Sequence, residues 1–263
     1  VAFSAAATLA AAVWVGPYAW MVLTSFKTLP EIVQHPTALL PRSLDAGAYR
    51  EVFAAMPVAR YFAVTAAMAG AIAAAQIALA LPAGYVLAKL RFPGARAAFG
   101  LVLACLLVPA QVTFVPVFLM LSRVHLVGTM TALVLPFAAS ALGTFLVTQA
   151  VRGVPDELIE AARLDGAGEW TIVYRVVAPL IRPTLVSLFL VSFVLHYSDY
   201  FWPLVMTTDD RVRTLPLGVA LLREQGSGVR WHIVMAGNVV LSAPVLALFA
   251  LVERQLVRAV GGR

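Results

Sequence analysis

The side chains able to do chemistry are few, and most of them are scattered. The four histidines, His35, His125, His196 and His232, share no metal-ligand spacing, and Cys105 is the only cysteine. A metal centre needs three or four such ligands converging on one point, so none is read here. One thiol also forms no intrachain disulfide; Cys105 lies in an apolar run and reads as a small packing hydrophobe. His196 reads as a hydrogen-bonded packing residue. No nucleophile is paired with a base at a spacing that suggests covalent catalysis. Neither Lys27 nor Lys89 follows a glycine to close a Gly-x-x-x-x-Gly-Lys phosphate loop. The chain therefore offers no catalytic residue, no bound cofactor and no ATP hydrolysis of its own.

Two stretches do concentrate polar chemistry. The first is Tyr197, Ser198, Asp199, Tyr200 and Trp202, a carboxylate among hydroxyls and aromatic rings inside an otherwise apolar run. Such a set suits the hydroxyls and ring faces of a sugar. An acidic side chain at a bilayer centre costs roughly 2.5 to 3.5 kcal/mol on insertion scales, which marks a transport pathway or a partner. The other reading places Asp199 in water at an interface, with Trp202 in the aromatic belt.

The second stretch, about 151–183, mixes charge, apolar residues and turn signals and predicts helix, turn, helix. Pro155 suits a first helical position, Asp156 and Glu157 the positive end of the helix dipole, and Arg163 the negative end. Gly166 and Gly168 supply the turn, and a second helix runs over 169–177 to Pro179. Leu158, Ala161, Ala162 and Asp165 share one face, where two methyl-sized side chains permit close approach by another backbone. A short amphipathic helix lying on lipid headgroups and a docking knob for a soluble partner both fit that pattern.

The elements that must hold these stretches follow from composition. Of 263 residues 62% are hydrophobic and 12% charged, with a mean hydropathy of +0.90, against about 25% charged in a soluble domain. Charged side chains are too scarce to cover a water-soluble surface, so lipid must cover it; soluble enzymes, disorder and collagen are excluded together. Sixteen prolines and seventeen glycines fit membrane helices, whose neighbours re-satisfy freed backbone groups. The net charge of +6 is spread singly between apolar runs, which is the pattern of loops meeting anionic headgroups; nucleic acid is not expected as a partner.

Stretches free of Asp, Glu, Lys and Arg cover 1–26, 61–88, 97–122, 124–151 and 231–252, and a further run over 183–198 resumes after Asp199 to 208. A crossing takes about 20 residues, so six membrane helices in a single domain over 1–263 are predicted. Pro17, Pro57, Pro82, Pro109, Pro116, Pro136, Pro203 and Pro244 lie in or beside them and predict kinks. The chain opens at Val1 inside an apolar run, without Met, and a preceding segment is expected; the first run reads as a retained helix, not a signal peptide. Six crossings put both termini on one side, but Lys and Arg divide ten to nine between the two sides and do not decide which. A secondary transporter would show internal repeats and several midplane ionisable groups, whereas Asp199 stands alone.

Glu160-Ala161-Ala162 followed by Asp165-Gly166-Ala167, with Ile172 and Pro179 beyond, resembles the cytoplasmic EAA loop of permease subunits in binding-protein-dependent ABC importers. Thr24-Ser25-Phe26-Lys27-Thr28, the stretch from Tyr85 to Lys89 with Arg91-Phe92-Pro93-Gly94, the Tyr197 to Leu204 run and the basic, glycine-containing tail ending Gly261-Gly262-Arg263 are similar to the carbohydrate-uptake branch, of the smaller maltose-permease type. That family commonly has Trp-Asn where this chain has Tyr197-Ser198.

The resemblance implies an all-α type I importer fold in the plasma membrane of a bacterium or archaeon, with the loop and both termini cytoplasmic. It implies a cytoplasmic ATPase dimer that holds the ATP and Mg, a second permease subunit, expected to be a different chain, and an extracytoplasmic binding protein meeting outer loops around 29–59 and 207–230. Glu160 would make a charged contact with the ATPase, Ala161 and Ala162 close packing, and Gly166 the turn, with Asp165 and Ala167 completing the motif. The solute would be a sugar or sugar-like molecule, or, on the same architecture, a glycerophosphodiester or polyol.

Overall fold

A computed structural model describes residues 2–223 and 230–260, and all regular structure among them is helical. In chain order the helices are α1 (Ala2–Ser25), α2 (Leu29–Gln34), α3 (Gly47–Ala55), α4 (Val58–Lys89), α5 (Ala95–Cys105), α6 (Ala110–Arg123), α7 (Met130–Val134), α8 (Ala141–Arg152), α9 (Asp156–Leu164), α10 (Glu169–Thr171), α11 (Ala178–Leu180), α12 (Arg182–Tyr197), α13 (Phe201–Met206), α14 (Leu215–Leu221) and α15 (Trp231–Val260). A π-helical stretch, Ile172–Val177, joins α10 to α11. Val1, residues 224–229 of the loop expected to face outward over 207–230, and the Gly261-Gly262-Arg263 tail lie outside the described residues.

Two uninterrupted helices among the described residues are long and apolar enough to cross a membrane: Val58–Lys89 and Trp231–Ala250. Two more candidate spans are bent pairs, Met130–Phe137 with Ala141–Arg152 at 46° and Glu169–Leu180 with Arg182–Tyr197 at 83°. α1 holds 24 residues. The predicted run over 97–122 is not one continuous helix. It breaks between Cys105 and Ala110, where Pro109 sits in an extended conformation ahead of α6, because proline supplies no N–H to continue the ladder. The 124–151 run breaks where Ser140 takes an extended conformation and its hydroxyl accepts from Gly143 N–H at 3.0 Å, starting α8 afresh. Pro17, Pro82, Pro116 and Pro244 lie inside continuous helices.

Contacts divide the chain into two compact units, Val1–Val64 with Arg213–Glu253, and Thr65–Val212 with Arg254–Arg263. In the first, Val52, Met56 and Tyr61 pack with Leu215, Val219 and Ile233. Gly218 is required there, because a Cβ at that position would lie 2.5 Å from the Tyr61 ring. The second unit holds two cores. One gathers Met68, Ile72, Leu133, Trp202 and Met206; the other gathers Leu81, Tyr85, Val147, Ile159, Ile172 and Leu188. At Gly84 a Cβ would come within 2.6 Å of Val147 Cγ1 and 3.0 Å of Thr148 N, so α4 and α8 approach nearly backbone to backbone, as small residues allow in membrane helices.

Several polar groups within these apolar helices are hydrogen-bonded inside the protein. The hydroxyls of Thr144, Thr148 and Ser242 each donate to the carbonyl four residues earlier, and Gln76 donates through Nε2 to Phe137 O at 2.9 Å. Burying such a group without a partner would cost several kcal/mol in hydrocarbon, at the order of magnitude for unsatisfied groups there.

Candidate functional site

The segment singled out for its charge and turns is built as a self-terminating helix seated on α4. Asp156 and Glu157 occupy the first turn of α9 and Arg163 the last. Pro155 precedes the helix in an extended conformation instead of forming its first residue. At the other end Gly166 takes φ +81°. Its N–H donates to Arg163 O and the N–H of Ala167 to Ala162 O, both at 3.0 Å. These are the paired bonds of a Schellman ending, which also brings a hydrophobic contact between the residues at its two ends. Ala162 and Ala167, both partly buried against the same core, supply that contact. Gly168 is extended, with φ −72° and ψ 159°, and launches α10.

Two polar clasps hold α9 and α10 to the end of α4. Tyr85 Oη donates to Glu169 Oε2 at 2.6 Å, and Arg163 donates through Nε to Glu169 Oε1 at 3.0 Å and through Nη2 to Tyr85 Oη at 3.2 Å. Lys89 Nζ donates to Val154 O at 2.5 Å and to Asp156 Oδ1 at 2.6 Å. The hydrogen bond from Lys89, with its positive charge, holds the Asp156 carboxyl below its ordinary value of 3.8. Tyr85 and Lys89 are four residues apart, so one helix face presents both. That spacing is legible in the sequence; their partners 65 to 84 residues away are not. Ile159, Ile172 and Val173 lie beneath the clasps as the buried apolar side of the seat.

Clasped in this way, the loop turns a distinct surface outward. Glu160, Ala161, Asp165 and Gly166 are exposed. So are four large apolar side chains, Leu158, Leu164, Trp170 and Tyr174, with Leu164 at 90%. Trp170 and Tyr174 stack with ring centroids 6.0 Å apart. An exposed patch of apolar residues rimmed by charge is the usual form of a protein contact surface. Leu164 and Trp170 go beyond the small residues and charges that mark the segment in the sequence, where nothing signals that two large apolar side chains face outward.

The Tyr197 to Trp202 cluster is placed at the break between α12 and α13. Asp199 Oδ1 accepts from the N–H groups of Phe201 at 3.0 Å and Trp202 at 3.3 Å, starting α13. Trp202 is buried and donates through Nε1 to Ala132 O at 3.0 Å. Its ring meets Phe114 and Phe137 edge to face. Asp199, Phe201, Trp202, Phe114, Phe137 and Thr113 line a cavity of about 490 Å³. Tyr197, Ser198 and Tyr200 are not among its lining residues. Tyr197 is buried and stacks on Phe193, while Ser198 and Tyr200 are exposed. His196 meets the Phe137 ring edge to face, and its Nδ1 lies 2.7 Å from Ser192 O, a packing arrangement. Among the described residues no cluster of three metal-ligating side chains exists.

A helical membrane protein with a short polar-clasped loop presenting an apolar surface outward is the class that this fold and site define. The chain belongs to the family described as binding-protein-dependent transport system inner membrane component, whose model matches residues 80–261. It is 33% identical over 192 residues to the sn-glycerol-3-phosphate transport system permease protein UgpE of Yersinia enterocolitica, covering 73% of this chain and 68% of that one. With the protein of the same name from Rhizobium meliloti it shares 28% identity over 250 residues, 92% and 89% of the two chains. The arabinooligosaccharides transport system permease protein AraQ of Halalkalibacterium halodurans is 33% identical over 174 residues, 66% and 62%. In fold it matches a chain of a bacterial ABC transporter involved in the import of the acidic polysaccharide alginate, with TM-score 0.85 at 20% identity, over 96% of this chain and 94% of that one. The chain is thus a permease subunit of an ABC importer, with the type I importer fold and no enzyme activity; the ATPase is a separate subunit.

Proposed function

We propose that 151–183 is the coupling loop through which a cytoplasmic ATPase dimer, holding ATP and Mg, drives this subunit. The observation that carries this reading is the pair of clasps, Tyr85–Arg163–Glu169 and Lys89–Asp156, which tie the loop to a helix long enough to cross the membrane. A partner gripping Leu158, Ala161, Leu164 and Trp170 displaces α4 with the loop. Glu160, exposed beside them, makes the charged contact, and Gly166 keeps the turn. ATP-driven closure of the dimer acts on the membrane helices because the docked loop has different contacts in the two states. Both termini and the loop face the cytoplasm. The second permease is a different chain, and an extracytoplasmic binding protein delivers the solute to the outer loops.

The solute is a sugar or a small polyhydroxylated relative. The aromatic cavity at Asp199 and Trp202 supports this, since ring faces and a hydrogen-bonding carboxylate suit sugar binding. A glycerol phosphate or its diester is the second reading, favoured by the similarity of the chain to sn-glycerol-3-phosphate transport system permease proteins. Purification from the native membrane in mild detergent, followed by mass spectrometry, tests the assembly: a P-loop ATPase and a second multispan permease are expected. Recovery of this chain alone in a stable preparation would overturn it. Competition for uptake between an arabinooligosaccharide and sn-glycerol 3-phosphate decides the solute class.

A further inference from the structure

Beside the coupling loop, and sharing Glu160 with its exposed surface, lies a cavity of about 610 Å³ walled by the end of α4, the end of α8 and one flank of α9. Its charged lining is unbalanced: Lys89, Arg91, Arg152 and Arg163 face Asp156 and Glu160. Two of the cations are committed, Lys89 to Asp156 and Arg163 to Glu169. Among the described residues Arg91 and Arg152 form no ion pair of their own, although the charge of Arg91 adds to that of Lys89 in holding the Asp156 carboxyl low. Arg152 is nevertheless held in place, with its guanidinium carbon 4.6 Å from the centroid of the Phe99 ring. A cation over an aromatic face is attracted by the ring quadrupole, and a guanidinium held there presents its donors as a rigid fork.

We propose that this cavity is a binding site for a phosphate group, with Arg91 and Arg152 as its ligating side chains. A planar fork matches phosphate oxygens in bidentate fashion, and a pre-oriented one loses little freedom on binding. The volume lies in the range of small-ligand sites and exceeds what a bare phosphate fills, so a phosphate on a larger body fits better. Phe92, next to Arg91 in the chain, is an exposed large apolar side chain, suited to the acyl chains of an anionic phospholipid. A soluble phosphate compound shares the headgroup chemistry and is the other source.

The test uses the full chain in nanodiscs of phosphatidylcholine doped with phosphatidylglycerol, with bound lipid read by native mass spectrometry. The double variant Arg91→Gln/Arg152→Gln is expected to retain phosphatidylglycerol roughly thirty-fold more weakly, as for two lost basic contacts near a membrane surface. Arg91→Lys/Arg152→Lys restores most of the retention. Arg175→Gln, exposed on the same loop and outside the cavity lining, leaves it unchanged. Calorimetric titration of inorganic phosphate into the detergent-purified chain separates the sources. Heat that the double variant abolishes, without lipid retention, assigns a soluble phosphate; lipid retention that phosphate does not displace assigns the headgroup. Equal behaviour of the native chain and the double variant toward both probes, or equal retention of phosphatidylcholine, overturns the proposal. Should the double variant fail to fold, the single exposed-site variants Arg91→Gln and Arg152→Gln carry the same comparison, each with about half the effect in free energy.

Discussion

At the scale of the residue, position and job separate cleanly around the coupling loop. Leu164 contributes almost nothing to its own fold, being 90% exposed. Leu164→Asp should leave thermal stability within about 0.5 kcal/mol, the ordinary range for a surface change, while solute-stimulated ATP hydrolysis by the reconstituted complex falls steeply. Unchanged stimulation would remove Leu164 from the contact surface. Asp156 offers a pH test. Its pKa is held below 3.8 by Lys89, so its contribution is complete above that value and is lost as pH falls through the lowered one. The difference in unfolding temperature between the native chain and Asp156→Asn should accordingly be flat through neutral pH and close only in acid. Asp199 accepts two backbone N–H bonds, a role that Asn can also fill. Asp199→Leu should therefore lose about 1 kcal/mol of stability and Asp199→Asn little. If the carboxylate serves the pathway, uptake falls in both; uptake retained by the Asn variant would leave it a purely local role.

Among elements, the helix ending at Gly166 bears the most specific expectation. Gly166→Ala forces a side chain into φ +81° and should cost roughly 1 to 2 kcal/mol. Gly166→Pro also removes the N–H bonded to Arg163 O and should abolish coupled ATP hydrolysis while the chain still inserts, as should Glu160→Lys; normal uptake by either would refute the coupling role. The turn was legible because Gly166 in that setting has few alternatives. The roles of Ala162 and Ala167 were only half legible. Both were read as parts of a docking motif, and both turn inward to seal the helix end. Gly84 went unremarked, since one glycine in a long apolar helix carries no signal until Val147 is known to lie against it. The breaks at Pro109 and Ser140 were hidden for a related reason: a run free of charge fixes where a crossing can lie, while its continuity depends on caps and prolines read one at a time.

Across the whole molecule, apolar composition settled the solvent and the loop motif settled the class. Neither reaches the solute, because the cavity at Trp202 is assembled from Phe114, Phe137 and Trp202 on three separated stretches of chain. The 83° corner between Glu169–Leu180 and Arg182–Tyr197 has a mechanical meaning of its own. Ile181 at its apex is buried, and the N–H groups of Ile181 and Leu185 stay bonded to Val177 O and Ile181 O at 3.1 Å. Backbone hydrogen bonds therefore run on both sides of the corner. Two arms set near a right angle form a bell crank: a stroke delivered along one arm leaves along the other turned through the same angle. On the proposed coupling role, the short arm, ending at the outward face of the loop, is the one that takes the stroke, and α12, which ends two residues before Asp199, is the one that passes it on.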